Sequence, residues 1–318
     1  MRHGILAAVA FATMVMFAGT APSQAGQVPE SSDVIKLPIN EWTGQHVSQT
    51  IAGELLKSMG YNIEYVTAGA LPQFPAIARG DLHAQPEVWT NSVGDIYPKA
   101  VESGDIVVLG QLGLKPQEGW IYPPYMEEKC PGLPDYRALY KCTQAFANAE
   151  TFPKGRLITY PADWGTRSKD VVAAIDLPFA PIAGGSEGAM IAELKSAYAA
   201  KEPILMMFWQ PHWLFAQFDF NWVKWNPDPD NTCVEESQTK ENACGFQQAS
   251  VDKIVSKGFK DKWPAAYRFL ERFELNNDAQ NTMMLEVDQR GRDLDEVVAE
   301  WIENNKSTWQ KWVAAAMM

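Results

Sequence analysis

The chain of 318 residues is poor in basic side chains, with 27 Lys and Arg against 39 Asp and Glu and a formal net charge of −12. Nucleic acid and anionic membrane both reward basic patches, so this balance weighs against either as a partner. Histidine is scarcer still, with four in all. His46, His83 and His212 show no H-x3-H or HExxH spacing, and no G-x-S-x-G turn accompanies them. A secreted hydrolase therefore rests only on scattered residues and is the weaker class of reading. The glycine-rich stretch Gly184-Gly185-Ser186-Glu187-Gly188 has neither the Lys-Ser/Thr of a phosphate loop nor a dinucleotide fingerprint. It reads as a turn, with Ser186 capping the next helix. No internal repeat or low-complexity segment appears, and beyond the first 25 residues no apolar stretch is long enough to span a bilayer.

At the N-terminus Arg2 and His3 precede an apolar run from Ile5 to Ala18, and Ser23-Gln24-Ala25 supplies a small-x-small site before Gly26. This is the pattern of a cleavable secretory signal over residues 1–25, and it predicts a periplasmic protein. The run is shorter than the roughly 20 residues of a spanning helix, and no cysteine follows the cleavage point as a lipoprotein would require. Loss of Arg2 takes the formal charge from −12 to −13. In an oxidising compartment two local pairs, Cys130 with Cys142 and Cys233 with Cys244, read as short-loop disulfides, each worth on the order of 3 kcal/mol. Structural zinc prefers tighter spacing and histidine co-ligands, and no histidine lies near either pair in sequence. The segment Asn226–Gly245 reads as a polar surface loop stapled by the second pair. Its acidic part, Asp228–Glu236, has oxygens enough for Ca2+ but not the spacing of an EF-hand, so an ordinary acidic loop is the favoured reading and no cofactor is expected.

Short apolar runs alternate with amphipathic ones from Ile35 onward, which predicts α/β lobes. Strands are expected at Ile35–Ile39, Asn62–Val66, Leu82–Val88 and Ile106–Leu109. A second series is expected at Trp120–Tyr122, Arg156–Tyr160, Phe179–Ile182 and Ile204–Trp209. Val47, Ile51, Leu55 and Met59 recur every four residues and mark a helix face, with Thr43 as N-cap and Gly60 just past the end. Further helices are expected at Ser168–Ile175 and Gly188–Ala200. Val298, Trp301, Trp309 and Trp312 fit one face of a final helix that packs as core.

Twelve tryptophans is a high count, and four of them share a topological position. Trp42 follows the first strand, Trp89 ends the third, Trp164 follows Arg156–Tyr160, and Trp209 closes the strand that begins at Ile204. All four fall at carboxyl ends of strands, where open α/β sheets bind ligands. A single tryptophan is more often core than ligand contact; four at equivalent positions form a pattern. Indole faces carry negative quadrupoles, and several lining one cavity attract a cation that cannot donate hydrogen bonds, at about 0.5–2 kcal/mol per contact.

The pieces Glu41-Trp42-Thr43, Val88-Trp89-Thr90, Asp163-Trp164-Gly165, Trp209-Gln210-Pro211-His212-Trp213 and Asn281-Thr282-Met283-Met284 resemble, in order and over nearly the whole chain after residue 25, the glycine betaine, choline and trimethylamine N-oxide-type substrate-binding proteins of ABC importers. The W-x-P-x-W block is the most specific of them. The resemblance implies a two-lobed periplasmic binding protein fold, with residues 26–113 and 248–318 in one lobe, 114–247 in the other, and ligand in the cleft between. It implies a binding protein without catalysis, a monomer that hands its ligand to an ABC permease in the inner membrane. Trp89, Trp164 and Trp209 match the family's cage positions, and Trp42 matches an aromatic that some choline-binding members carry.

Two departures bear on the ligand. Choline binders follow the first Trp-Thr with an aspartate, where this chain has Gly44 and Gln45. Another branch has a histidine four residues after the second cage tryptophan, where this chain has Val93. Missing both handles, the pattern favours trimethylamine N-oxide or glycine betaine, with choline or carnitine as the alternative. The backbone N–H groups of Gly165 and Thr166, opening a helix, are candidates for the ligand's oxygen, with Arg167 beside them or simply on the surface. A protonated carboxyl group is another donor, and Glu87 is the candidate, although a solvated surface charge is the plainer reading of it.

Overall fold

The computed structural model describes residues 27–225, 245–246 and 249–318. Three expectations fall outside the described residues and have no structural counterpart: the leader, the Ca2+ reading of Asp228–Glu236, and the second disulfide. Neither Cys233 nor Cys244 is among the described residues, so the pairing of Cys233 with Cys244 stays an expectation from sequence. The first pair is present: Cys130 and Cys142 are disulfide-bonded.

The mostly buried run Ile35–Ile39, with only Lys36 and Ile39 half-buried, forms β1, which pairs in parallel with β2 (Ile63–Thr67). Next come β3 (Ala84–Trp89) and β4 (Ile106–Gln111); β11 (Val251–Ser256) returns from late in the chain to lie between them, antiparallel to both. The second lobe holds a five-stranded sheet of β5 (Gln117–Tyr122), β7 (Gly155–Thr159), β8 (Phe179–Ala183), β9 (Met206–Gln210) and the short β10 (Asn221–Trp222), in the order β10-β5-β9-β7-β8. A further strand, β6 (Pro131–Pro134), lies outside that sheet. In the five-stranded sheet β7 is parallel to β8 and β9, whereas β5 runs antiparallel to β9. The polarity of β5 decides what reaches the cleft.

The helix Thr43–Ser58 buries Val47, Ile51 and Leu55 on the face read from their four-residue spacing. Its cap differs from expectation. Trp42, in extended backbone, is the N-cap, and Thr43 is the first helical residue. The hydroxyl of Thr43 is engaged elsewhere, reaching Glu187 and Asp288 at 3.1 and 2.6 Å. Ser186 does cap Glu187–Ala200, accepting from the Ala189 N–H at 3.2 Å. The single final helix is also corrected. Asn305 leaves helical geometry and divides it into Leu294–Asn304 and Lys306–Ala316. Trp301 therefore belongs to one helix, and Trp309 and Trp312 to the next, where Trp312 packs its edge on Phe273 at 5.6 Å. Among the described residues no helix is long and apolar enough to cross a membrane.

Candidate ligand site between the lobes

Trp42, Trp89, Trp164 and Trp209 line one small cavity of about 30 Å³, together with Gln73, Glu87, Ser92, Val93, Glu118 and Tyr160. Strand ends bring them there: Trp89 is the last residue of β3, Trp209 sits one short of the end of β9, and Trp42 and Trp164 follow β1 and β7. The rings meet edge to face. Trp164 is 5.1 Å from Trp42 and 5.6 Å from Trp209, centroid to centroid, so the contact between Trp42 and Trp164 crosses the cleft. Tyr160 is a fifth aromatic wall, 5.6 Å from Trp164 and 5.5 Å from Trp209. It lies just past the end of β7, the same topological position as the tryptophans, and that signal was available in the sequence.

Two buried carboxyl groups face this cavity. Glu87 is fully buried, not a solvated charge, because β3 is covered on both sides. Its Oε1 accepts from the indole N–H groups of Trp42 (2.9 Å) and Trp89 (3.0 Å). Its Oε2 accepts from the Ser48 hydroxyl (2.6 Å) and the Gln280 amide (2.7 Å). Burial raises its pKa, against the pull of those four hydrogen bonds. With both oxygens occupied, Glu87 is poorly placed to be the ligand's donor.

Glu118 went unremarked in the sequence. It is 6% exposed, and β5 pairs it directly with Trp209 of β9. Because β5 runs antiparallel, its early residues lie at the edge where β9 ends. Glu118 Oε1 accepts from the Ser92 hydroxyl at 2.7 Å, across the cleft, and from the Tyr160 hydroxyl at 3.0 Å. Among the described residues its Oε2 has no hydrogen-bond partner. Burial pushes its pKa up, against the hydrogen bonds from Ser92 and Tyr160 and the charge of Arg167, which shifts the carboxyl toward the neutral form that can donate.

Gly165 and Thr166 fall elsewhere. They line a neighbouring cavity with Arg167, Ser168 and Lys169, and Tyr160 is shared between the two. Gly165 has φ of 135°, and a Cβ on it would stand 1.8 Å from the Ser92 carbonyl oxygen. The residue is thus a point of close approach between the lobes. Arg167 is not a free surface charge either, since its guanidinium donates to the Gly245 carbonyl and lies 6.0 Å over the Phe246 ring. Gln45, at one of the positions where the choline pattern fails, turns into a buried amide network and donates to the Pro38 carbonyl at 2.9 Å.

A second polar cluster bridges the lobes. Glu187 Oε2 accepts from the N–H and hydroxyl of Thr43, and Asp288 Oδ2 accepts from the Trp213 indole at 2.8 Å. Glu187, His212 and Asp288 offer ligand atoms within 4.8 Å of one another, a spacing compatible with a metal. The histidine argues otherwise. His212 Nδ1 accepts the Leu214 N–H at 3.2 Å, which leaves the proton on Nε2, and Nε2 faces Glu187 Oε1 at 3.3 Å. A protonated nitrogen is a donor and not a metal ligand.

Comparison with known proteins agrees with this architecture. The family model for the substrate binding domain of ABC-type glycine betaine transport systems matches residues 33–304. A trimethylamine N-oxide-binding protein of Pelagibacter ubique is 26% identical over 305 residues, covering 93% of this chain and 94% of that protein. Two solved structures share the two-lobed fold. One is an ABC-transporter choline-binding protein in complex with choline, with TM-score 0.75, 15% identity and coverage of 91% and 97% of the two chains. The other is lactococcal OpuAC, closed on glycine betaine, with TM-score 0.70, 20% identity and coverage of 88% and 99%. With residues 33–304 matched end to end, the chain belongs to the family of substrate-binding domains of ABC-type glycine betaine transport systems.

Proposed function

We propose that the protein captures a compact trimethylated amine bearing an acceptor oxygen, with trimethylamine N-oxide or glycine betaine favoured, and delivers it from the periplasm to an ABC permease of the inner membrane. Trp42, Trp89, Trp164 and Trp209 surround the ammonium group, Tyr160 completes the wall, and the lobes close over the ligand as a monomer without chemistry. The chain segment that carries β4 into β5 serves as a hinge between lobes of residues 26–113 with 248–318 and of 114–247. The observation that carries the reading is Glu118 Oε2, buried beside the four indoles without a partner among the described residues. A neutral carboxyl there donates to an N-oxide or carboxylate oxygen, which can only accept.

Ionised, the same oxygen accepts the hydroxyl of choline, and this is the competing reading. The two separate by pH. Binding of trimethylamine N-oxide or glycine betaine weakens as pH rises through the raised pKa of Glu118, whereas choline binding strengthens. Calorimetric titration with trimethylamine N-oxide, glycine betaine, choline and carnitine across pH makes the comparison. If none binds more tightly than about 1 mM, or about −4 kcal/mol, the cage reading is abandoned. Affinity for choline alone, rising with pH, selects the competing reading.

A further inference from the structure

Glu87 brings a buried acid to the site without touching a cation. Among the described residues no lysine, arginine or histidine is its partner; its four neighbours are Trp42, Trp89, Ser48 and Gln280. Three of these donate N–H and cannot accept. A proton on Oε1 would confront two indole N–H groups. A proton on Oε2 would have to be taken by Ser48, which would then turn to the Gly44 carbonyl at 3.1 Å. The four donors therefore offset part of the cost of the anion, while the neutral acid keeps one satisfied arrangement through Ser48 and Gly44. Gln280 reaches it because position 44 is glycine, where a Cβ would stand 3.3 Å from the Gln280 amide nitrogen. A buried anion without a counter-ion is costly unless something of opposite charge arrives.

We infer that Glu87 is the counter-charge and positioning residue of the aromatic cage: by gripping Trp42 and Trp89 through their indole N–H groups it fixes both rings and turns their faces more negative, so that the site prefers a cation to an uncharged ligand of the same shape. Hydrogen bonding to an anion draws the N–H proton outward and leaves more electron density over the ring, which strengthens the attraction for a cation on its face. One carboxylate thus acts on two walls at once. The inference rests on the proposed cage and adds to it the origin of its charge selectivity.

The test pairs each trimethylammonium ligand with its uncharged carbon isostere: trimethylamine N-oxide with tert-butanol, and choline with 3,3-dimethylbutan-1-ol. Wild-type protein binds the cationic member more tightly. In Glu87→Gln the cation loses about tenfold or more in affinity while the isostere changes little, so that the ratio collapses. The exchanged double variant, Glu87→Gln with Gln280→Glu, returns a negative charge to the same cluster and restores part of the ratio. If Glu87→Gln lowers both members equally, or leaves the ratio unchanged, the counter-charge role is wrong while the cage stands. If wild-type protein binds neither cation, the cage fails and this inference with it. Should Glu87→Gln not fold, the wild-type indole N–H resonances, assigned with Trp42→Phe and Trp89→Phe, decide the matter. Two downfield, exchange-protected signals support the grip, and rapid exchange overturns it.

Discussion

Glu87 and Glu118 stand at the same cavity, each buried and each with a raised pKa, yet they differ in who satisfies them. All four donors to Glu87 come from the first lobe: the helix Thr43–Ser58, its N-cap, the end of β3, and Asn277–Met284, which packs on that helix. Its cluster takes no donor from the five-stranded sheet or the segments joined to it. Glu118 sits on β5 of the second lobe and takes one of its two donors, Ser92, from the first. Its site is complete only when the lobes meet, and one oxygen is left over. A carboxyl with every lone pair engaged shapes its neighbours; one with an idle oxygen is available to a ligand.

The comparison breaks most visibly under amide substitution. Glu118→Gln keeps an oxygen for Ser92 and Tyr160 and offers an N–H in place of Oε2, so affinity for trimethylamine N-oxide should fall by no more than about 0.5–1 kcal/mol and lose its pH dependence. Glu118→Ala removes both functions, and calorimetry should show a loss of about 1.5–3 kcal/mol, roughly 10- to 100-fold. At Glu87 the amide oxygen still accepts from the two indoles and the N–H can turn to Ser48, so the main loss is of charge and falls on the ammonium ligand. If Gln is as harmful as Ala at position 118, the idle oxygen is not a donor to the ligand.

The same pair shows what was legible in the sequence. Four tryptophans at strand ends were visible because β1, β3, β7 and β9 all deliver their carboxyl ends to the cleft, and apolar runs mark such strands plainly. Glu118 was hidden because its strand runs the other way: a residue early in β5 reaches the cleft only once the antiparallel register with Trp209 is known. Glu87 looked solvated since an isolated charge beside an apolar run carries no sign of Ser48 or Gln280, the latter 193 residues away. Gly165 and Thr166 were read as ligand donors from their place before a helix, but the left-handed backbone of Gly165 and its approach to Ser92 turn them to another cavity. Chain direction, register and long-range packing supply the rest.

Protein stability offers a second way to sharpen the contrast. Both carboxyls have folded pKa values raised above the ordinary 4.5, so between 4.5 and those values the folded protein holds protons that the unfolded chain has released. Stability of the ligand-free protein should be full below about pH 4.5 and fall as pH rises toward the folded values, by about 1.4 kcal/mol for each pH unit in which only the unfolded chain ionises. Denaturant unfolding across pH measures this. Glu118→Gln should flatten the decline, since two donors and an idle oxygen compensate that anion poorly. Glu87→Gln should flatten it less, because four donors already offset the anion's burial. An equal change in slope would mean that the number of donors does not distinguish the two acids.

A single cross-cleft donor isolates closure itself. Ser92→Ala deletes the donor that ties Glu118 to the opposite lobe and leaves every donor to Glu87 in place. Other cross-cleft contacts persist, among them the Trp164 indole on Glu41 at 3.1 Å and the Thr43 hydroxyl on Glu187 at 3.1 Å, so the lobes still close. Affinity should fall by only about 0.5–1.5 kcal/mol. Because the lost bond exists only in the closed form, most of the change should appear as faster ligand release, followed by stopped-flow tryptophan fluorescence, with the association rate nearly unchanged. The preference for a cation over its carbon isostere, assigned to Glu87, should not move. A collapse of that preference in Ser92→Ala would mean that the two carboxyls act as one unit, with closure and charge selectivity no longer separable.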